Sequence, residues 1–380
     1  MRILHTSDWH LGRQFHGVSL IEDQRHALHH LLRIVRDEQV DVVVVAGDIY
    51  DRAVPPAEAV ELLDEVLHAL SHDCGVPVIL IAGNHDSPER LGFGSRQLAR
   101  GGVHITGPLR AEPLPLLLED AHGAVAFYSL PFADPPVVRE VLRVDVRGHQ
   151  EAMQALTQQV REHNPQGRRC VLMAHCFLEG YAGSESERPL AIGGVETVDA
   201  SVFEGFHYVA LGHLHGAQAR GAKHVRYSGS LLPYSFSESS DPKSVTLVDL
   251  DAEGKCIVRT VALQLRRGMR TVEGTLEEVL EKSKQDAAAD DYVMVRITED
   301  RAILDRMARL RAVYPNVLHS EQVRSKGNES AVAAGAERIA RGELVMFQDF
   351  YQDLTGKAAS EEHIKVMAEV ITTAKRQGDL

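Results

Sequence analysis

Polar side chains able to bind metal ions or transfer protons recur in this sequence directly after short apolar runs. After the run 78–82, the chain continues with Gly83, Asn84, His85 and Asp86. Such a run is too short to cross a membrane and rich in branched residues, which favours a strand buried on both faces. The glycine allows a sharp turn or a close backbone approach, so the three polar residues should lie just past the strand's carboxyl end. In open α/β sheets, ligands bind at that edge.

The predicted strands 2–7, 40–45, 169–173 and 208–211 end in a similar way. The side chains that follow them are Asp8, His10, Asp48, His175, His213 and His215. Residues i and i+2 of an extended segment point the same way, so each Asp-x-His or His-x-His pair could reach one ion. Asp8 and His10 alone have a plainer explanation, an ordinary loop aspartate beside a solvated histidine. Coincidence becomes the weaker explanation when all these strand ends are considered together.

Together with Asn84, these side chains supply nitrogen and oxygen donors and no thiolate. Such a set suits two borderline or hard divalent ions, such as manganese, iron or zinc. If Asp48 bridges the ions, the predicted ligands are Asp8, His10, Asp48 and His215 for one and Asp48, Asn84, His175 and His213 for the other. Two ions roughly 3.5–4 Å apart can share a nucleophilic hydroxide and neutralise the charge of a phosphorane-like transition state. The sequence therefore predicts phosphoester hydrolysis.

His85 is left out of both predicted ligand sets. It follows Asn84 directly and could protonate the leaving oxygen or steady its charge, while Asp86 would orient a neighbouring group. The alternative is that His85 is an ordinary metal ligand or supports a ligand from outside. The variant His85→Ala separates these roles, because lost activity with full metal content supports the acid and lost metal excludes it.

Composition limits the kind of protein this can be. The 380 residues are 44% hydrophobic and 25% charged, which is ordinary for a soluble globular chain of two or three domains. The net charge of −13 does not fit a stand-alone nucleic-acid binder, so a DNA substrate would require metals, basic patches or a partner. The cysteine spacing predicts reduced thiols in a cytoplasmic protein. We expect neither a signal peptide nor a membrane helix.

The elements that must position the site alternate between strand and helix. Helical spacing of apolar residues predicts helices over 22–38, 55–70 and 88–100, interleaved with the strands 2–7, 40–45 and 77–82. This order predicts a parallel sheet with right-handed crossovers. Further strands are predicted at 125–130 and 169–173, and those at 224–229, 244–249 and 256–263 should complete a second sheet layer. The expected core is a β-sandwich with helices outside.

The composition changes from about residue 266. Alternating segments at 270–273, 276–284, 292–297, 303–313 and 316–319 predict a small βαβαβ module with no site-like cluster. Residues 325–342 are rich in Gly, Ala and Ser and are expected to be a linker. Helices at 344–354 and 361–375 form a hairpin too small to bury its apolar side chains alone. It should dock on its own chain or, as we favour, on a partner.

The motifs Asp-x-His, Gly-Asp-x-x-Asp, Gly-Asn-His-Asp, a lone histidine after a strand and Gly-His-x-His resemble those of the calcineurin-like metallophosphoesterases. Residues 1–12, residues 227–238 and the carboxyl-terminal module resemble the bacterial SbcD nuclease family, over essentially the full length. The resemblance implies an α/β fold, a four-layer metallophosphoesterase β-sandwich flanked by helices, over residues 1–265. A small α+β capping domain (266–324), the linker and a C-terminal helical hairpin (343–380) would follow.

The same resemblance implies a two-manganese enzyme of DNA repair, recombination and replication. It would be an ATP-dependent 3'-to-5' exonuclease on double-stranded ends that also cuts single strands and hairpins. Its partner would be an SbcC-like SMC/ABC ATPase, bound by the carboxyl-terminal helices in a heterotetramer, with a homodimer of this chain expected through early helices such as 88–100. Archaeal and eukaryotic relatives place a second catalytic histidine about three residues after the bridging aspartate. This chain has Asp51 and Arg52 there, so that histidine's role does not carry over to Asp51.

Two other classes of function share parts of this pattern. A stand-alone metallophosphodiesterase or phosphatase acting on small phosphoesters would use every predicted ligand, but it would have no need of residues 266–380. A non-catalytic scaffold of the same fold would have no need of the intact ligand set. The sequence therefore favours the nuclease subunit, and substrate hydrolysis is the observation that separates it from the small-molecule esterase.

Overall fold

The computed structural model describes residues 1–164, 167–187, 197–219, 222–299, 303–323 and 343–377. The chain divides into two compact units, Met1–Arg267 and Gly268–Leu380. The predicted linker at 325–342 lies outside the described residues. Among the helices that are described, none combines the length and the apolar character that a membrane span requires.

The first unit is built from two main sheets and the helices around them. Its strands are β1 (Arg2–Thr6), β2 (Gln14–Phe15), β3 (Val18–Ser19), β4 (Val42–Val45), β5 (Val78–Ile81), β6 (Val103–Thr106), β7 (Leu116–Asp120), β8 (Gly123–Leu130), β9 (Arg169–His175), β10 (Phe177–Leu178), β11 (Thr197–Val198), β12 (Tyr208–Gly212), β13 (Val225–Tyr227), β14 (Ser244–Leu250) and β15 (Cys256–Ala262). Its helices are α1 (Ile21–Asp37), α2 (Ala57–His68), α3 (Pro88–Leu91), α4 (Ser95–Leu98), α5 (Pro135–Leu142) and α6 (His149–His163). Short turns of π or 3₁₀ helix cover Ala69–Asp73, Ala99–Gly101, Ala200–Phe203 and Phe236–Glu238.

The two main sheets pack face to face. One has six strands in the order β15-β14-β1-β4-β5-β6, and the other has five in the order β13-β12-β9-β8-β7. Five of these strands lead to the predicted site. In one sheet, β4 runs parallel to both β1 and β5. In the other sheet, β12 runs parallel to β9. Ile3 and Val44 from the first sheet join Val171 and Ala210 from the second in one buried cluster. This cluster is the core between the sheets.

Helices pack on the outside of these sheets. Val138 of α5 and Leu156 of α6 belong to a second buried cluster with Leu172 and Leu211, which face away from the core between the sheets. The helices α1 and α2 contact each other and each buries one apolar face, as the spacing of their leucines predicts. The predicted metallophosphoesterase sandwich flanked by helices is confirmed.

Two parts of the predicted topology are wrong. The strands at 244–250 and 256–262 belong to the first sheet, because β14 pairs antiparallel with β1 and β15 pairs with β14; only β13 joins the second sheet. The apolar residues of a strand indicate burial but do not identify the sheet that the strand joins. The predicted helix over 88–100 is two short helices, because Gly94 adopts a left-handed conformation with φ of 73° between them. The helices α5 and α6 were not predicted.

The second unit begins with the predicted βαβαβ module. Its elements are β16 (Met269–Gly274), α7 (Leu276–Ser283), β17 (Tyr292–Ile297), α8 (Arg306–Arg311) and β18 (Val317–Gln322), and the three strands form a parallel sheet in chain order. Val279 and Leu310 from the helices pack with Val293 and Val295 in its own core. Two further helices, α9 (Glu343–Thr355) and α10 (Glu361–Gln377), contact each other as a hairpin. The order of these elements confirms the prediction.

Candidate metal centre

The loops that follow β1, β4, β5, β9 and β12 meet at one edge of the two sheets. The ring of His175, at the end of β9, lies with its Nδ1 2.9 Å from the backbone oxygen of Ala46, so an end of one sheet reaches the other. The backbone N of His213 likewise donates to Oδ1 of Asp8 over 2.9 Å. The structure thereby brings together every residue predicted for the site: Asp8, His10, Asp48, Asn84, His85, His175, His213 and His215.

Asp48 occupies the middle of this group. Its Oδ1 accepts a hydrogen bond of 2.9 Å from the backbone N of His85. Its Oδ2 lies 3.6 Å from Nε2 of His10 on one side and 3.6 Å from Nε2 of His175 on the other. One carboxylate oxygen therefore lies between two groups of possible metal donors, which is the position that a bridging ligand needs.

The first of these groups contains Asp8, His10 and His215, all buried. The Nε2 atoms of the two histidines are only 3.0 Å apart. Burial and the neighbouring His215 lower the pKa of His10 well below its usual range, so its ring is neutral. Nδ1 of His10 is buried and has no hydrogen-bond partner among the described residues.

The second group contains Asn84, His175 and His213. A carbonyl oxygen can only accept, so the contact with Ala46 places the proton of His175 on Nδ1 and leaves Nε2 with a free lone pair. Burial lowers the pKa of His175 and of His213, which keeps both rings neutral. Nε2 of His175 lies 2.9 Å from Oδ1 of Asn84, and Nδ1 of His213 lies 3.4 Å from the same oxygen. Lone pairs thus face one another with no proton between Nε2 and Oδ1.

These observations fit a pair of bound cations. Burial and the charge of Asp48 raise the pKa of Asp8 well above its usual range, so added positive charge would be needed to keep both carboxylates ionised. Nitrogen and oxygen donors suit divalent ions such as manganese, iron or zinc. Cys176 follows His175 directly, but it belongs to the apolar cluster on the outer side of the sheet, and burial raises the pKa of its thiol to about 12. The buried cluster is compatible with a dinuclear metal site.

Backbone strain is concentrated in the same loops. Asp8, His10 and Asp48 have left-handed φ angles of 52°, 46° and 50°, and His213 has a φ of 107°. Such values are uncommon for residues with a side chain and cost about 1–3 kcal/mol each. No local sequence pattern predicts this strain, which the packing of the two sheets maintains.

Gly83 is needed for close approach rather than for a special turn. A Cβ at this position would lie 2.2 Å from Oδ1 and 2.3 Å from the backbone N of Asp48, and its φ is not positive. The sequence left both explanations open. The loop after β5 therefore lies directly against the loop after β4, and no side chain fits between them.

Asp86 joins the same two loops. Its carboxylate accepts hydrogen bonds from the backbone N of Ile49 at 3.1 Å, of Tyr50 at 2.9 Å and of Gly83 at 2.9 Å. Asp86 therefore fixes the backbone around Asp48 and Asn84.

His85 lies in the centre and is nearly buried, with 6% of its surface exposed. Its Nδ1 donates to the backbone oxygen of Asp51 over 2.8 Å. This bond turns Nε2 towards the centre, where it lies 4.0 Å from Oδ2 of Asp48. The side chain of Asp51 binds Nη1 of Arg13 at 3.0 Å and lies 3.8 Å from Nδ1 of His10.

Four residues behind His215 were missed by sequence reasoning: Ser186, Glu187, Glu238 and Lys243. Glu238 is completely buried and ends the segment 227–238, which resembles the SbcD family but carries no predicted ligand. Burial alone would raise the pKa of Glu238, but hydrogen bonding to His215 and the charge of Lys243 lower it below its usual range. A glutamate and a lysine five residues apart give no sign in the sequence that both are buried.

Comparison with known proteins identifies the family of this chain. Residues 1–217 match the calcineurin-like phosphoesterase family, and the chain belongs to that family. Residues 266–355 match the family described as the type 5 capsule protein repressor C-terminal domain. A dimetal phosphatase from Danio rerio is 15% identical and covers 69% of this chain and 96% of its own, with a TM-score of 0.43, too low to add to the assignment.

Full-length relatives place the chain more narrowly. The SbcD component of nuclease SbcCD from Staphylococcus saprophyticus is 32% identical over 379 residues, which cover 100% of this chain and 100% of that protein. The protein of the same name from Staphylococcus epidermidis is 32% identical over 362 residues, which cover 95% of both chains. Within the calcineurin-like phosphoesterases, this chain belongs to the SbcD family of SbcCD nuclease components.

Proposed function

We propose that this chain is the nuclease subunit of an SbcCD-type DNA repair complex and that it hydrolyses DNA phosphodiesters at a centre of two metal ions. The position of Asp48 between two groups of buried ligands carries this proposal. The family, to which the chain is similar over its whole length, directs it towards DNA rather than small phosphoesters. The reactions are exonucleolytic cleavage of double-stranded ends in the 3'-to-5' direction and endonucleolytic cleavage of single strands and hairpins.

Two divalent ions, with manganese as the proposed metal, would share the ligands that the two groups supply. The first ion would have Asp8, His10, Asp48 and His215, and the second Asp48, Asn84, His175 and His213. When bound, such a pair supplies a nucleophile at neutral pH and positive charge for the transition state. The distances of 3.6 Å from Oδ2 of Asp48 to His10 and to His175 support its bridging role.

His85 is proposed as the proton donor to the leaving oxygen. Its Nδ1 is occupied by the backbone oxygen of Asp51, so Nε2 is the atom that can exchange a proton with the substrate. Its backbone N, bound to Asp48, keeps the ring beside the centre. Asp86 supports this geometry, because the loops carrying His85 and Asp48 are both bound to its carboxylate.

The residues that follow the nuclease domain would bind the partner. We propose boundaries of 1–265 for the nuclease domain, 266–324 for the capping domain, 325–342 for a linker and 343–380 for the docking helices. Phe350 on α9 and Val366 and Val370 on α10 have 58%, 56% and 54% of their surfaces exposed. These side chains would bind an SbcC-like ATPase, within a heterotetramer that contains a homodimer of this chain in the cytoplasm. With a net charge of −13, the chain needs the metals and the partner to complete the DNA path.

Hydrolysis of an end-labelled hairpin and of a blunt duplex with Mn²⁺ tests the proposal, with and without the ATPase and ATP. We expect cleavage of both substrates, and the ATPase with ATP should increase cleavage of the duplex. Turnover of nucleotide monoesters without cleavage of either DNA under all these conditions would overturn it in favour of a stand-alone phosphatase.

A further inference from the structure

His215 is held on every side that does not face the proposed metal ions. Its backbone N donates to Oε1 of Glu187 over 2.9 Å, and its backbone oxygen accepts from Nζ of Lys243 over 3.0 Å. On the ring, Nδ1 lies 2.6 Å from Oγ of Ser186 and 3.3 Å from Oε1 of Glu238. Only Nε2 points towards His10 and the centre.

The acceptor behind this ring is an ionised carboxylate in a fully satisfied network. Oε2 of Glu238 lies 2.6 Å from Nζ of Lys243, and both side chains are buried. The ammonium of Lys243 finds its remaining partners in the backbone oxygen of His215 and Oγ of Ser230, each at 3.0 Å. Oε1 of Glu238 accepts from the hydroxyl groups of Ser186 and Ser235. Every proton of the buried ammonium group therefore has an acceptor.

We infer that Glu238 is a positioning residue which, directly and through Ser186, keeps the proton of His215 on Nδ1 and so directs the lone pair of Nε2 at one metal ion. This inference rests on the proposed function, because it assigns a purpose to a ring that would bind metal. A carboxylate behind a histidine accepts its N–H, fixes its tautomer and orientation, and increases its basicity as a ligand. Lys243 keeps Glu238 charged, and it also ties the peptide of His215 to the same ion pair.

The effect should be confined to one of the two ions. The tautomer of His175 is fixed by a different acceptor, because the backbone oxygen of Ala46 accepts a hydrogen bond from its Nδ1. His213 presents Nδ1 to Asn84, and its backbone N is bound to Asp8. Among the hydrogen bonds of the described residues, neither of these two histidines binds Glu238 or Lys243. Loss of the carboxylate should therefore weaken the ion bound by His215 and spare the other.

Titration of the full chain with Mn²⁺, with free Mn²⁺ followed by electron paramagnetic resonance, measures both sites without reference to activity. We expect two ions in the wild type. In Glu238→Gln, one site should bind roughly 10–100-fold more weakly while the other keeps its affinity. The matched control is Asp120→Asn, which breaks the ion pair with Arg169 elsewhere in the same unit and should leave both affinities unchanged.

Ser186→Ala provides a second variant that leaves no buried charge without a partner, in case Glu238→Gln does not fold. It should weaken the same single site by a smaller factor. Wild-type affinity at both sites in the folded variants would overturn the inference, and so would equal weakening of both sites, which indicates a general structural role. A wild-type chain that binds fewer than two ions would instead refute the proposed function itself.

Discussion

At the scale of single residues, His85 lies farther from Asp48 than His10 and His175 do, although its ring is held like that of His175, whose Nδ1 also donates to a backbone oxygen. Its Nδ1 is bound to a backbone oxygen, and its Nε2 is 4.0 Å from the nearest oxygen of Asp48, farther than Nε2 of His10 or His175. The ring therefore lies beside the proposed ligands, where its Nε2 would reach a bound substrate. The longer distance from Asp48 is the feature that favours the proposed role of a proton donor over that of a ligand.

The variant His85→Ala should lose activity without losing metal. We expect kcat for DNA cleavage to fall roughly 10²–10⁴-fold, since a positioned proton donor contributes about that much. Two Mn²⁺ ions should still bind with wild-type affinity, because the proposed ligands remain. Loss of one ion from the variant would show that His85 is a ligand instead.

The meeting of the proposed ligands at one edge was predictable, because each follows a buried strand and the carboxyl ends of such strands share one edge. The burial of Glu238 and Lys243 was not predictable, since the sequence does not show which charged residues are buried. The left-handed backbone at Asp8 and Asp48 was missed for a similar reason: only contact between distant loops imposes it.

At the scale of elements, the loops after β4 and β5 must touch. The variant Gly83→Ala places a Cβ 2.2 Å from Oδ1 of Asp48, so the two loops must separate. We expect the free energy of unfolding to fall by about 1–3 kcal/mol, as for other overpacked sites, and Mn²⁺ binding to weaken. Chemical denaturation and the Mn²⁺ titration measure the two effects.

The control for this variant is Gly101→Ala, where the nearest atom to the added Cβ is Cε1 of His72 at 3.7 Å. It should change the unfolding free energy by less than about 1 kcal/mol and leave Mn²⁺ binding intact. Equal behaviour of the two variants would contradict the close approach of the loops.

The ion pair between Asp120 and Arg169 joins β7 to β9. Nη2 of Arg169 lies 2.6 Å from Oδ1 of Asp120, and the amino terminus lies 3.0 Å from Oδ2. The hydrogen bonds from Arg169 and the terminus hold the pKa of Asp120 below its usual value of 3.8. A carboxyl whose pKa is lower in the folded state stabilises the fold above its unfolded pKa and loses that effect as the pH falls.

The variant Asp120→Asn should therefore destabilise the protein by roughly 1–3 kcal/mol at pH 7. The difference from wild type should persist down to about pH 4 and shrink at lower pH, as the wild-type carboxyl becomes protonated. Denaturation at a series of pH values gives the comparison. A difference that grows as the pH falls would contradict the role assigned to this pair.

The strands and helices themselves were predicted better than the sheet to which each strand belongs. Strand and helix alternation predicted the parallel strands β1, β4 and β5, because apolar periodicity and glycine punctuation are local signals. The sheet that β14 joins depends on pairing with β1, as in the pair Arg2 and Asp249, which lie 247 residues apart along the chain. Such pairing leaves no local trace, and the prediction placed that strand in the wrong sheet.

At the scale of the whole molecule, the proposed ATPase partner would bind the helical hairpin of the second unit. The described side chains of α9 and α10 expose Met346, Phe350, Val366 and Val370 to solvent. Removal of residues 343–380 should abolish binding to the SbcC-like ATPase and spare Mn²⁺-dependent cleavage by the remaining chain. Co-purification with the ATPase and a hairpin cleavage assay measure the two properties. Binding by the truncated chain would refute the assignment of these helices.

The family could be predicted because motifs at both ends of the chain resembled one family. The predicted linker at 325–342 lies outside the described residues, so its role stays a prediction. The homodimer also stays a prediction, since the helix expected to form it is divided at Gly92 to Gly94 and nothing in one chain identifies its partner surface.

One centre with two ions, at the edge of both sheets, is proposed to cleave DNA. The most direct test measures cleavage of an end-labelled hairpin while Mn²⁺ is added to the metal-free chain in known equivalents. Cleavage should stay low during the first equivalent and rise as the second ion binds, because both groups around Asp48 must be filled. Full cleavage with a single bound ion would show that the second ion is not needed. Two bound ions without cleavage of DNA would show that the centre does not act on DNA.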